Sequence, residues 1–406
     1  MTHILFWVVF LSKYVFWLAA PNNYFEAMLV WIVVLASLSL VRCLTVQAVV
    51  LPRASYFYAM LLYVLWSLIC CLLPWAEGRI TALAYAILPL LVWPFIPARE
   101  NLSIATFEFC VGVVLGAGLL IVTVIFLMGL NQLSSRTEGL VQVGPNTIAF
   151  ISALGFFCAW CLSKTSARRL SIYFARGAMV VFAGVIVFSF SKTIIVICFL
   201  AVILSRVSFS SVKALVFTLL AMVAYSLIMY IVFVFVEDQV YQYLSGPNSL
   251  STLSGRTLLW GQILRGLDEW RLVLGAGFNS SINVSRDAGY YIFGTEAFGQ
   301  AHNAVIEAVI NTGVVGASLM VFSVVFSFAK AFFKLKSSTH HGESARSKLL
   351  FSILLIFVAR SVTEGSYSQP GTIDAGIVFF IVGVVAVSYS NKAFKFVLYK
   401  KSLEVG

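Results

Sequence analysis

Runs of about twenty apolar residues, separated by short polar or basic stretches, repeat along almost the whole chain. An α-helix rises about 1.5 Å per residue, so crossing a hydrocarbon core about 30 Å thick takes about 20 residues. Twelve runs meet that requirement, centred near residues 12, 33, 64, 88, 117, 154, 181, 199, 224, 323, 355 and 381. They predict an all-α polytopic membrane protein with about 12 transmembrane helices. Between residues 172 and 207 the only interruption is "SFSK", which predicts two short helices joined by a tight turn.

Composition agrees with the pattern. Hydrophobic residues fill 61% of 406 positions and charged residues 11%, too apolar for a chain kept in water. Charge then adds an orientation, because Lys and Arg beside the spans stay on the cytoplasmic side. With the N-terminus cytoplasmic, the outer side receives Arg79, Arg136, Lys192, Arg256, Arg265, Arg271, Arg286 and Arg360, and Lys13 sits inside the first span. The other 18 of 27 basic residues fall inside, which predicts twelve spans with both termini in the cytoplasm. The net charge of +11 is therefore topological, with a share facing anionic inner-leaflet lipid, and calls for no nucleic acid.

The first residues, "MTHILFWVVFLSKYVFWLAA", imitate a signal peptide, but Lys13 breaks the apolar core and further spans follow, so an uncleaved span is expected. The seven cysteines (43, 70, 71, 110, 158, 161 and 198) fall in or beside spans and form no disulfide framework. "CAWC" at 158–161 has a redox spacing, yet inside an apolar helix it reads as two small core residues. "THHGE" at 339–343 reads as a solvated loop, and His3, His340 and His341 lie in short polar or basic surroundings.

One loop is out of proportion: residues 237–300, some 64 positions between the ninth and tenth spans, on the outer side by the charge count. Loops of that length in compact proteins are commonly functional. Leu259, Trp260, Ile263, Leu264, Leu267 and Trp270 recur at helical spacing with Arg265, Asp268, Glu269 and Arg271 between them, predicting one amphipathic interfacial helix. With Ser254 as N-cap, Arg256 would project from a helix N-terminus, where orphan amides and a guanidinium together favour an anion. The alternative is a surface arginine at a bend.

After the loop comes "FGQAHNAVIEAVINTG", residues 298–313. Val305, Ile306, Val309 and Ile310 mark a buried helix face, "NTG" offers a stop, and His302 at the helix head points into protein. The helix dipole pushes such a histidine toward its neutral form, which suits a general base; the alternative is a structural histidine. Lys192 in "VFSFSKTIIVI" stands at a membrane edge, either functional or snorkelling. Arg136 precedes "VGPNTIAF", whose Gly-Pro-Asn is first of all a turn signal. The loop acids Asp268, Glu269, Asp287 and Glu296 lack metal-ligand spacing.

In order, "GPNTIAF", "SFSK", "SGRTLLW", "LGAGFNS" and "HNAVIEAVINTGVVG" resemble the O-antigen ligase and O-antigen polymerase superfamily of bacterial envelope glycan assembly. No one motif is diagnostic; the ordered set, between about 134 and 316, is more specific than any of its parts. The resemblance implies a metal-independent, multi-spanning glycosyltransferase without a cofactor. Its donor would be a glycan on undecaprenyl diphosphate and its acceptor a second glycan. Arg256 would bind the diphosphate and His302 would activate or orient the acceptor hydroxyl. The family's membrane-edge arginine falls here on Lys192, which keeps the charge but loses the bidentate fit, so Arg136 is a second candidate for that guanidinium. Asn303 and Arg265 complete the candidate substrate-binding set. Other multi-spanning glycosyltransferases tend to carry paired acids in the first outer loop, and "APNNYFEA" has only Glu26.

The expected organisation is transmembrane helices 1–9 over 1–236, a periplasmic loop with the site over 237–312, and helices 10–12 with a basic cytoplasmic tail over 313–406. The expected location is the bacterial inner membrane with the site facing the periplasm, where envelope-assembly proteins are possible partners. Polymerase is favoured over ligase, whose acceptor would be lipid A-core, by the "GPN" and "SGRTLLW" elements. A lipid-linked glycan transporter is the competing class. It would place polar groups at mid-membrane in two related halves, and no repeat relates 1–200 to 201–406.

Overall fold

A computed structural model of the chain describes residues 1–13, 15, 24–46, 48–76, 82–83, 86–128, 145–189, 191–206, 252–278, 280–293, 301–337, 341–361, 373–389 and 393–397. The elements, in chain order, are α1 (Thr2–Leu11), α2 (Tyr24–Val46), β1 (Ala48–Pro52), α3 (Ser55–Cys70), α4 (Leu88–Val92), α5 (Leu102–Met128), α6 (Pro145–Thr165), α7 (Arg169–Phe188) and α8 (Lys192–Arg206). Then follow α9 (Thr252–Gly266), α10 (Glu269–Leu274), α11 (Ser281–Phe293), α12 (Ala304–Ser337), α13 (His341–Arg360), α14 (Ile373–Tyr389) and β2 (Ala393–Val397). The chain is an all-α polytopic membrane protein that carries one small antiparallel ribbon, in which Ala48 faces Val397 and Pro52 faces Ala393. Among the described residues five helices are long and apolar enough to span a bilayer, within 26–45, 99–126, 146–165, 169–188 and 304–335.

Helices cover or adjoin every expected centre except residue 224, which lies outside the described residues. Near residue 88 the described structure is only the short α4 and a 3₁₀ turn at Trp93–Phe95, where Pro94 supplies no N–H to continue a helix. At "SFSK" α7 ends at Phe188, Ser189 is in a turn, and α8 begins at Lys192.

Between spans, packing follows small residues. Gly112 and Gly116, one turn apart on α5, sit against Trp7 and Leu11 of α1; a Cβ on Gly112 would lie 2.6 Å from the Trp7 Cβ. Such spacing lets two backbones approach where no hydrophobic gain separates protein from lipid. Gly155 of α6 does the same beneath the Phe182 ring of α7. The opposite face of α7 carries exposed Leu170, Phe174, Val180 and Phe188, as lipid contact requires.

Chain direction defines two ends. α3 starts beside the ribbon and ends at Cys70, whose Sγ–H donates to the Leu274 carbonyl (3.3 Å). α13 ends at the Ser361 carbonyl, which accepts the Ala304 N–H (2.8 Å). The head of α12 and the ends of α3 and α13 therefore meet at one end, and the ribbon marks the other. At the ribbon end His3 is buried rather than solvated, its ring among Phe95, Trp7 and Phe380, with the Phe95 carbonyl 3.2 Å from Nε2 and Glu108 3.9 Å from Nδ1. Nor is "THHGE" all loop, since α13 begins at His341 and Glu343 pairs with Lys334. The seven cysteines are free.

Candidate functional site

The loop helices differ from the single amphipathic helix expected. α9 stops at Gly266, and Asp268 opens α10 by accepting the Arg271 N–H on Oδ1 (2.7 Å), an N-cap that satisfies an otherwise orphan donor. Leu259, Ile263 and Leu267 are buried as periodicity requires, whereas Trp270 is 71% exposed because it belongs to the next helix. α9 also begins at Thr252, so Ser254 lies inside the helix rather than capping it. Arg256 thus stands in the second turn rather than at the N-terminus, and its side chain lies outside the described residues.

"LGAGFNS" is a clasp. Gly275 (φ 96°) and Gly277 (φ 106°) adopt backbone that side-chain-bearing residues rarely reach, and a Cβ on Gly275 would lie 2.6 Å from the Asn311 carbonyl oxygen. Opposite them α12 kinks at Gly313 (φ 68°, ψ −178°), whose missing Cβ admits the Val273 and Gly275 backbone. The two strands of this junction are tied by Ala276 N–H to Ile310 O (2.6 Å) and Ser281 N–H to Asn311 Oδ1 (3.2 Å). Two tryptophans close it, Trp66 in the last turns of α3 donating to Thr312 O (2.8 Å) and Trp75, five residues past that helix, donating to Gly275 O (3.0 Å). Phe278 fills a pocket with Cys70, Cys71, Ala82 and Ala86. "NTG" does interrupt the helix, as its composition predicts.

His302 heads α12, but not as part of a helix. Its φ of 52° makes it the one non-glycine residue with positive φ among the described residues. Left-handed backbone at such a residue costs on the order of 1–3 kcal/mol and persists only where the surroundings over-determine it. They do so here. The Ala301 carbonyl accepts the Trp260 indole N–H (2.7 Å), the Ala301 N–H donates to Glu307 Oε1 (2.7 Å), and the Ala304 N–H donates to Ser361 O (2.8 Å). Asn303 caps α12, its Oδ1 accepting Val305 N–H (2.9 Å) and Ile306 N–H (3.1 Å). His302 itself is half-buried. The buried face of α12 runs through Ala304, Glu307, Ala308 and Ile310, while Val305, expected inside, is exposed.

Trp260 connects two of the candidate residues. Arg256 lies one turn before it on α9, about 6 Å along the axis, so the Arg256 turn adjoins the loop that holds His302. Arg265 is exposed nine positions after Arg256, about 13.5 Å along the axis and half a revolution round the helix, so the two positions are not neighbours on α9. Lys192 is the first residue of α8, which packs on α6 and α13; its side chain lies outside the described residues, as does Arg136 altogether. Arg360, one of the eight cations assigned to the outer side, is buried at the end of α13. It donates to Asp374 Oδ2 (2.7 Å) and stacks 4.2 Å over the Phe150 ring of α6. Among the described residues no group of three or more His, Cys, Asp or Glu side chains could hold a metal ion.

The fold and this loop cluster define a multi-pass membrane protein with the His302 loop, the glycine clasp and the Arg256 turn at one end. Residues 177–321, which run from α7 through the His302 loop, match the family model described as O-antigen ligase. A 148-residue stretch is 27% identical to the exopolysaccharide production protein ExoQ of Rhizobium meliloti (strain 1021), covering 35% of this chain and 33% of that protein. The matched stretch thus spans about a third of the curated relative. Together the two matches support the O-antigen ligase/polymerase-like superfamily that the motif order resembles.

Glu307 and Trp260 were missed as site components by reasoning from residue type. Glu307 reads as the charged position of an amphipathic helix, and Trp260 as one more apolar contact. The available signal was an acid set among Ala304, Ala308 and Ile310, on the face that must be buried.

Proposed function

We propose that this protein is a membrane glycosyltransferase that moves a glycan from undecaprenyl diphosphate to an acceptor glycan on the periplasmic face of the bacterial inner membrane. Polymerisation of lipid-linked repeats is favoured over ligation to lipid A-core. The observation that carries the reading is the clamped, left-handed His302 beside the Arg256 turn of α9. His302 accepts the proton of the acceptor hydroxyl; that oxygen attacks the anomeric carbon, and the bond from that carbon to the diphosphate oxygen breaks. Arg256, with Lys192 or Arg136, offsets the charge growing on the diphosphate, which fixed cations do best where water is scarce. Asn303 lines the acceptor side by its amide nitrogen, since its oxygen serves the helix cap. Arg265, exposed and further along α9, completes the substrate-binding set away from the Arg256 turn.

In this reading residues 1–236 and 313–406 form the membrane part, the latter with its basic cytoplasmic tail, and 237–312 the periplasmic loop, which ends at the Gly313 kink. Both termini are cytoplasmic, as the basic residues require. No metal or cofactor takes part. The test is the acceptor: purified protein with chelator is given an undecaprenyl-linked glycan and either a second lipid-linked repeat or lipid A-core. Extension of the repeat assigns polymerase; transfer to lipid A-core assigns ligase. No new glycosidic bond with either, where a related enzyme works, contradicts the reading in favour of transport.

A further inference from the structure

His302 is set by two side chains that act on its neighbour. Ala301 has no exposure to solvent. Its N–H is taken by Glu307 Oε1 (2.7 Å) and its carbonyl by the Trp260 indole N–H (2.7 Å), so the peptide planes on both sides of Ala301 are held by side chains. The second of those planes contains the His302 nitrogen, about which φ turns. Glu307 also reaches the far side, its backbone N–H donating to Asn303 O (2.9 Å), so residues 301 and 303 are both tied to one residue. Glu307 is fully buried at the head of α12, between Ala304 and Ala308. A buried polar group is tolerated where it is hydrogen-bonded, and the Ala301 N–H, one residue before the left-handed turn at His302, is one of the partners this carboxylate has there. Trp260 adds a link in the other direction, fastening the Arg256 helix to the same peptide.

We propose that Glu307 and Trp260 are positioning residues for His302: they clamp Ala301 between them and fix the direction in which the imidazole leaves the backbone relative to the Arg256 turn. The proposal rests on the glycosyl-transfer reading above. Neither side chain needs to touch substrate. Misplacement by about 1 Å of a group that must meet a reacting atom costs on the order of 10²-fold in rate. Each bond can be removed separately. Trp260→Phe keeps an aromatic ring, smaller than the indole, and deletes the donor, Glu307→Asp withdraws the acceptor by one methylene, and Glu307→Gln keeps an acceptor at the same reach.

The test is steady-state transfer by full-length protein in detergent, with undecaprenyl-diphosphate-linked glycan as donor. Thermal midpoints are measured alongside. Trp260→Phe and Glu307→Asp are each expected to lower kcat about 10²-fold with the donor KM within about threefold of the parent, because what is lost is alignment in the transition state. Glu307→Gln is expected to recover kcat to within about threefold of the parent. Unchanged kcat in both bond-deleting variants overturns the proposal, as does a Glu307→Gln as slow as Glu307→Asp. A loss that tracks only the fraction of folded protein gives both residues a purely structural role and also overturns it. His302→Ala separates the two levels. If it transfers as fast as the parent, the catalytic reading itself fails; if it is slow while the clamp variants are fast, only the clamp fails.

Discussion

Replacing Gly275 by alanine tests whether "LGAGFNS" is a packing device rather than chemistry. The backbone there (φ 96°, ψ 155°) is a region essentially reserved for glycine, costing about 1–3 kcal/mol for any other residue. The new Cβ would stand 2.6 Å from the Asn311 carbonyl oxygen and 2.7 Å from the Thr312 nitrogen, both backbone atoms that cannot rotate away. Relief requires the two strands of the clasp to part, which strains the adjacent Ala276 to Ile310 bond of 2.6 Å, worth about 1 kcal/mol. The total is about 2–4 kcal/mol of local stability. Opening of the junction should then rise at least about 30-fold, seen by amide exchange over 274–281 and 309–313 in detergent. Gly177→Ala, in open space on α7, is the control and should leave exchange there unchanged. Parental exchange and thermal midpoint in Gly275→Ala would refute the clasp.

Three further outcomes follow from the same geometry. Asp374→Asn strips the charge partner from buried Arg360 and should cost about 3–5 kcal/mol, whereas Asp268→Asn, in an exposed pair with Arg271, should cost no more than about 1 kcal/mol from the lost ion pair; thermal midpoints rank them, and equal shifts would contradict the burial argument. Arg256→Ala should abolish glycan transfer with protein level and folding intact, while Lys192→Arg should retain it if charge alone is required; a radiolabelled-donor assay reads both, and parental activity in Arg256→Ala removes that residue from the site. A cysteine replacing exposed Asp287 should be modified by an impermeant thiol reagent in intact spheroplasts, and one replacing Lys164 only after lysis; the reverse pattern would invert the orientation.

What was legible in the sequence was the part governed by repetition. Bilayer thickness imposes a length on each apolar run, and the "SFSK" break and the "NTG" interruption are visible because polar residues and glycine disturb a regular pattern. Residue types also drew attention to His302, but not to its conformation: periodicity placed it on a helix, and the chain instead turns left-handed one residue before the Asn303 cap. That turn depends on Trp260, 41 positions away, and Ser361, 57 positions after Ala304, and no local pattern reports such distant partners. The same limit hid the fate of Arg360. A charge at the end of a span reads as loop, and only the convergence of α14 and α6 shows it paired with Asp374 and stacked on Phe150. Helix boundaries failed in a third way, because Asp268 caps a helix inside what reads as one amphipathic run.

The central claim is that His302 acts as the base, and the measurement that meets it most directly is transfer by purified His302→Ala in detergent. Parent and variant are compared at equal folded protein, on one undecaprenyl-linked donor and the acceptor the parent uses, in the presence of chelator. A general base contributes about 10²- to 10⁴-fold, so the variant should form glycosidic bonds slower than the parent by that factor. Transfer at the parental rate would contradict the account, leaving His302 as a strained structural residue and the acceptor proton to some other group.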